Sequence, residues 1–78
     1  MKAVSLKTIL ETLKNDGGKI RWHTIHAKAH LLSGTGEVLG AIRFDTYLRV
    51  TGLAWVGKTG SDYSCDYYGM KEDRRAAA

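Results

Sequence analysis

Residues 19–32 read KIRWHTIHAKAHLL, and whether this stretch coils or extends decides the fold. As a helix from about His23, it sets Trp22, Ile25, Ala29 and Leu32 on one side, with Lys19 to Trp22 a short strand before it. The alanines favour that reading. As one long strand, Ile20 and Trp22 face one way while Ile25, Ala27, Ala29 and Leu31 face the other. The phase then slips near Thr24, which requires a bulge.

Next comes a turn under either reading, Ser33-Gly34-Thr35-Gly36. Glu37 to Thr51 is open in the same way. As a strand, Val38, Ile42, Phe44, Leu48 and Val50 share one parity and Arg43, Asp45 and Arg49 the other. Folded back across the turn, Ile25 would face Phe44, Ala27 would face Ile42, and Leu31 would face Val38. As a helix, Ala41, Phe44 and Leu48 point inward, Gly52 caps the end, and Ile42 and Val50 are left toward solvent. Alternation favours strands here. The order of elements along the chain favours helices, and it sets the expected fold.

The flanks are simpler. In Ser5 to Asn15, Leu6, Ile9, Leu10 and Leu13 make one apolar stripe on a helix. Ser5 is its expected cap, and Gly17-Gly18 ends it. Leu53 to Lys58 and Asp62 to Tyr68 read as two antiparallel strands rich in aromatic and β-branched residues. Between them, Lys58-Thr59-Gly60-Ser61 is the expected hairpin tip, and Met70 to Arg75 a charged tail.

Taken in order, the expectation is an α+β domain of helix, short strand, two helices and a C-terminal β-hairpin. That order resembles the winged helix-turn-helix family, above all in FDTYLRVTGLAWV followed by KTGSDYSCDYY. The resemblance implies a recognition helix in the major groove of double-stranded DNA and a wing against an adjacent groove or the phosphates. It assigns groove contact to Arg43, Thr46 and Arg49, and wing contact to Lys58, Thr59 and Ser61. Physical chemistry supports these residue types independently. On a helix Arg43, Thr46 and Arg49 share a face, and arginine can pair bidentately with guanine or phosphate. Lys58, Thr59 and Ser61 offer a cation and hydroxyls for phosphate at an exposed tip. Asp45 and Asp62 lie inside that surface and would repel phosphate unless Arg49 or Lys58 neutralised them.

Composition fits a polyanion partner. The 78 residues carry 12 Lys and Arg against 8 Asp and Glu, a net charge of +4, with a pI near 9.4. One domain is expected over residues 1–75, with Ala76 to Ala78 read as a cloning scar. A chain this short buries roughly 60% of its unfolded surface and gains stability of only about 3–5 kcal/mol. A homodimer is one way to add to it. The lone Cys65 excludes an intrachain disulfide framework. No signal-peptide or membrane-spanning run is visible, so a cytoplasmic location and no membrane partner are expected.

Enzyme chemistry finds little support. His23, His26 and His30 would form one stripe on a helix; on a strand His26 and His30 share a face and His23 points away. Metals usually draw ligands from several elements, so no metal or other cofactor is expected. Cys65 reads as a packed structural thiol without an adjacent base. Tyr63, Tyr67, Tyr68 and Trp55 could stack on the bases of a single strand, although alternation puts at least two in the core. The leading expectation is a small basic DNA-binding regulator or accessory factor. Its rival is a protein-interaction module, one helix on an antiparallel meander of three or four strands. Such a module would block a larger partner, as phage-type inhibitors of host defence do.

Overall fold

The computed structural model describes residues 2–71. Within it Ser5 starts the first helix, α1 (Leu6–Asn15), its side chain accepting from the Thr8 backbone N–H at 3.2 Å. Asp16 is the C-cap, and Gly17 follows at φ +67°, the left-handed conformation that glycine tolerates best. The chain continues as β1 (Lys19–His23), β2 (Lys28–Leu32), β3 (Val38–Ile42), α2 (Phe44–Thr51), β4 (Val56–Ser61) and β5 (Cys65–Met70). The strands form one antiparallel sheet in the order β3-β2-β1-β5-β4.

This is not a winged helix. Residues 19–32 form a β-hairpin, with Lys19 paired to Leu32 and His23 to Lys28. The slip of phase at Thr24 is the turn itself, neither a bulge nor a helix start. Residues 37–51 are neither all strand nor all helix, since β3 ends at Ile42 and α2 starts at Phe44. The β2–β3 register also differs from the expected one: Leu31 faces Gly40 and Ala29 faces Ile42. At the C-terminal end, Lys58, Thr59 and Ser61 lie within β4 rather than at a hairpin tip. The turn is made by Asp62 to Ser64, where the Asp62 carboxylate accepts from the N–H groups of Ser64 (3.3 Å) and Cys65 (3.0 Å). The rival layout fails too, having too few strands and no second helix. Met70 belongs to β5; the remaining charged tail beyond Lys71 and Ala76 to Ala78 lie outside the described residues.

Both helices pack on one face of the sheet. Ile9 and Leu13 from α1 and Tyr47 and Val50 from α2 meet Ile20, Ala29, Leu31, Ile42 and Val56 in a single core. Trp22 closes one end of it, stacked on Tyr47 with ring centroids 4.3 Å apart. The β3 edge is partly covered, because Ala41 N–H donates to the Lys2 carbonyl (3.0 Å) and its carbonyl accepts from Val4 N–H (2.9 Å). Neither helix packs on the opposite face of the sheet.

Candidate functional site

Strand pairing fixes what that opposite face displays. Ile20, Trp22, Ala29 and Leu31 point toward the helices, so their neighbours Lys19, Arg21, His23, Lys28, His30 and Leu32 point away. Arg21 lies at the centre, paired with His30 on β2 and with Tyr67 on β5. His23 is flanked in the same way by Lys28 and Cys65. On the other side of Arg21, Lys19 pairs with Leu32. Three cations and two imidazoles therefore share one sheet surface with a tyrosine ring.

Their charges are little compensated. Among the described residues the one ion pair is Lys58 with Asp66, 3.3 Å apart, on the helix side of the sheet. Lys19, Arg21 and Lys28 have no carboxylate partner there. Arg21 Nε and His30 Nδ1 are both closed off from solvent and make no hydrogen bond among the described residues. Asp62, whose carboxylate meets Tyr67 of this face, is held by three donors. Besides its two backbone N–H bonds, it accepts the Tyr67 phenol proton across 2.8 Å. The Tyr67 bond leads in stabilising its ionised form and holds its pKa below the ordinary carboxylate value, while raising that of the phenol.

Burial, followed by the positive charges of Arg21, His23 and Lys28, lowers the His30 pKa below the usual 6.5. The unfolded chain therefore binds more protons than the folded one as pH falls through that region. Stability from this site is complete above about pH 6.5 and is lost as pH falls toward the folded pKa. Urea unfolding of the parent and of His30→Gln should show the parent losing more stability between pH 7 and pH 5. Equal losses would mean that His30 does not feel this field.

The three histidines are not arranged as either sequence reading has them. His23 and His30 share the open face on adjacent strands, their rings edge-on at 5.9 Å, while His26 sits in the β1–β2 turn. Among the described residues no three His, Cys, Asp or Glu side chains gather to hold a metal ion. Cys65 does have an adjacent base: its Sγ lies 3.3 Å from His23 Nδ1. Cys65 is only 6% exposed, so the contact acts as a packed hydrogen bond.

The residues that the winged-helix resemblance singled out do not converge. Arg43, the N-cap of α2, and Thr46 line a shallow groove against Ala3 to Leu6. Arg49 is exposed in the last turn of the same helix. Lys58 is occupied by Asp66, and Ser61 lies opposite Asp66 in the ladder. Thr59 also contacts β5, donating from Oγ1 to the Tyr67 carbonyl at 3.4 Å. Sequence reasoning missed Lys19, Arg21 and Lys28. The signal available was the opposite parity of Lys19, Arg21 and His23 to Ile20 and Trp22.

No helix among the described residues is long and apolar enough to cross a membrane. No family model, curated protein or solved structure matches the chain.

Proposed function

We propose that this is a small basic nucleic-acid-binding protein, acting in the cytoplasm, that lays a single strand across its uncovered sheet face. The observation that carries the reading is Arg21 at the centre of that face, between His30 and Tyr67 and flanked by Lys19 and Lys28, without carboxylate partners among the described residues. Cations tracking a backbone beside an aromatic ring are what sequence-tolerant single-strand binding requires.

Dimensions favour one strand over a duplex. Five strands at about 4.8 Å spacing make a face about 19 Å across, wider than the roughly 12 Å major groove. A groove admits a helix or a two-stranded ribbon, whereas a broad sheet suits an extended strand whose bases are unpaired. The test is fluorescence anisotropy with a labelled single-stranded 20-mer and its duplex between 50 and 200 mM salt. Three phosphate contacts give an expected logarithmic salt slope of about −2 for the single strand. Duplex binding as tight as single-strand binding, or a flat salt response, would contradict the proposal.

A second reading is supported by α2. Phe44 and Leu48 are 56% and 53% exposed, and the Phe44 ring lies 5.7 Å from that of Trp22. This apolar stripe suits a protein contact, either with a partner or with a second copy of the chain. Light scattering of the purified protein across a concentration series separates self-association from a monomer.

A further inference from the structure

At one end of the open face the sheet meets the β2–β3 turn, and a groove of about 360 Å³ opens there. Lys19 and Tyr67 contribute from the sheet, Leu32 is largely buried at the same place, and Gly17 with residues 33–36 supplies the remaining wall. The volume is within the range of small-molecule sites, roughly 300–1,000 Å³. The groove is continuous with the cationic row, because Tyr67 pairs with Arg21 and Lys19 pairs with Leu32.

The hydroxyls of the turn are ordered in a way that leaves one donor over. Ser33 Oγ accepts the backbone N–H of Thr35 at 3.3 Å and that of Glu37 at 3.1 Å, which engages both of its lone pairs. Its own proton is then directed to Thr35 Oγ1, 2.9 Å away. Thr35 Oγ1 receives that bond, so its proton remains to be donated elsewhere. Two acids adjoin this turn: Glu37 follows it in the chain, and Asp16 has its Oδ2 tied to the Gly34 N–H at 3.2 Å.

Building on the single-strand reading, we infer that this groove takes one nucleobase bearing a ring carbonyl. The base lies against Tyr67 and Leu32, the Thr35 hydroxyl donates to the carbonyl oxygen, and Lys19 meets the adjoining phosphate. A ring of this kind offers the flat surface that an aromatic side chain stacks on. The lysine makes the groove complementary to a nucleotide rather than to an uncharged ring. Thymine, uracil, cytosine and guanine carry such an acceptor; adenine does not.

The experiment compares three strands of equal length on the unmodified protein: oligothymidylate, oligodeoxyadenylate and an abasic strand that keeps the phosphates. Oligothymidylate is expected to bind at least tenfold more tightly than the abasic strand at the same salt. In Thr35→Val the preference for oligothymidylate over oligodeoxyadenylate is expected to fall severalfold while the salt slope is unchanged. Abasic and oligothymidylate strands binding equally, with a steep salt response, would overturn the base groove and leave the phosphate reading in place. A thymidylate preference undiminished in a folded Thr35→Val variant would overturn the role of that hydroxyl. Binding of none of the three strands would overturn both proposals.

Discussion

Leu31→Ala is expected to leave much of the protein unfolded at 37 °C. Leu31 is fully buried at the centre of the core, between the sheet and both helices. Truncating a buried leucine costs about 2–5 kcal/mol, through lost transfer energy and the cavity left behind. A single core of this size supplies only about 3–5 kcal/mol in total. The loss is therefore comparable to the whole margin. Leu48→Ala is the matched control, since Leu48 is 53% exposed and its truncation should shift stability by no more than about 0.5 kcal/mol. Urea unfolding followed by circular dichroism reads both variants. A cost below about 1 kcal/mol at Leu31 would mean that the helices do not seal that face of the sheet.

Arg21→Ala is expected to weaken single-strand binding about ten- to a hundredfold. Hydrogen bonds to a charged group contribute about 1.5–3 kcal/mol, and each 1.4 kcal/mol is a factor of ten in affinity. Losing one phosphate contact should also flatten the logarithmic salt slope by about 0.7. The fold should survive the change, because Arg21 Nε has no hydrogen-bond partner among the described residues to lose. Arg43→Ala and Arg49→Ala, both on α2 in the helix layer, should alter affinity by less than about threefold, as distant surface charges are screened. Anisotropy titrations of the three variants rank them. An Arg21→Ala protein that binds like the parent, beside an Arg43 or Arg49 variant that does not, would move the site to the helices.

The contrast between these arginines shows what the sequence makes legible. The stripe on α1 is plain because its period is unbroken and its cap and terminating glycines sit where helix ends need them. The two central segments are harder for separate physical reasons. The β1–β2 turn runs Thr24-Ile25-His26-Ala27 without glycine, proline or asparagine, and Ala27 takes φ +51° despite carrying a Cβ. Nothing in its composition announces a turn. Residues 37–51 satisfy strand and helix patterns alike because they contain one of each, joined with only Arg43 between them. At the other hairpin, Lys58-Thr59-Gly60-Ser61 looks like a tip but sits inside β4, where the register shifts between Lys58 and Gly60.

The candidate site is hidden by the same errors. Once residues 19–32 are a hairpin, Lys19, Arg21, His23, Lys28 and His30 fall on one surface by alternation alone. Tyr67 joins them only through the β1–β5 pairing, which connects positions far apart in the chain and leaves no local trace. Overall basicity is readable from composition; which face carries it depends on register.

The most direct measurement is a backbone amide map of the labelled protein titrated with a short oligothymidylate at low salt. Shifts are expected along Lys19–His23, Lys28–Leu32 and Cys65–Met70, with Phe44–Thr51 quiet. Shifts confined to α2, with the three central strands unmoved, would contradict an account in which the open face of the sheet is the binding surface.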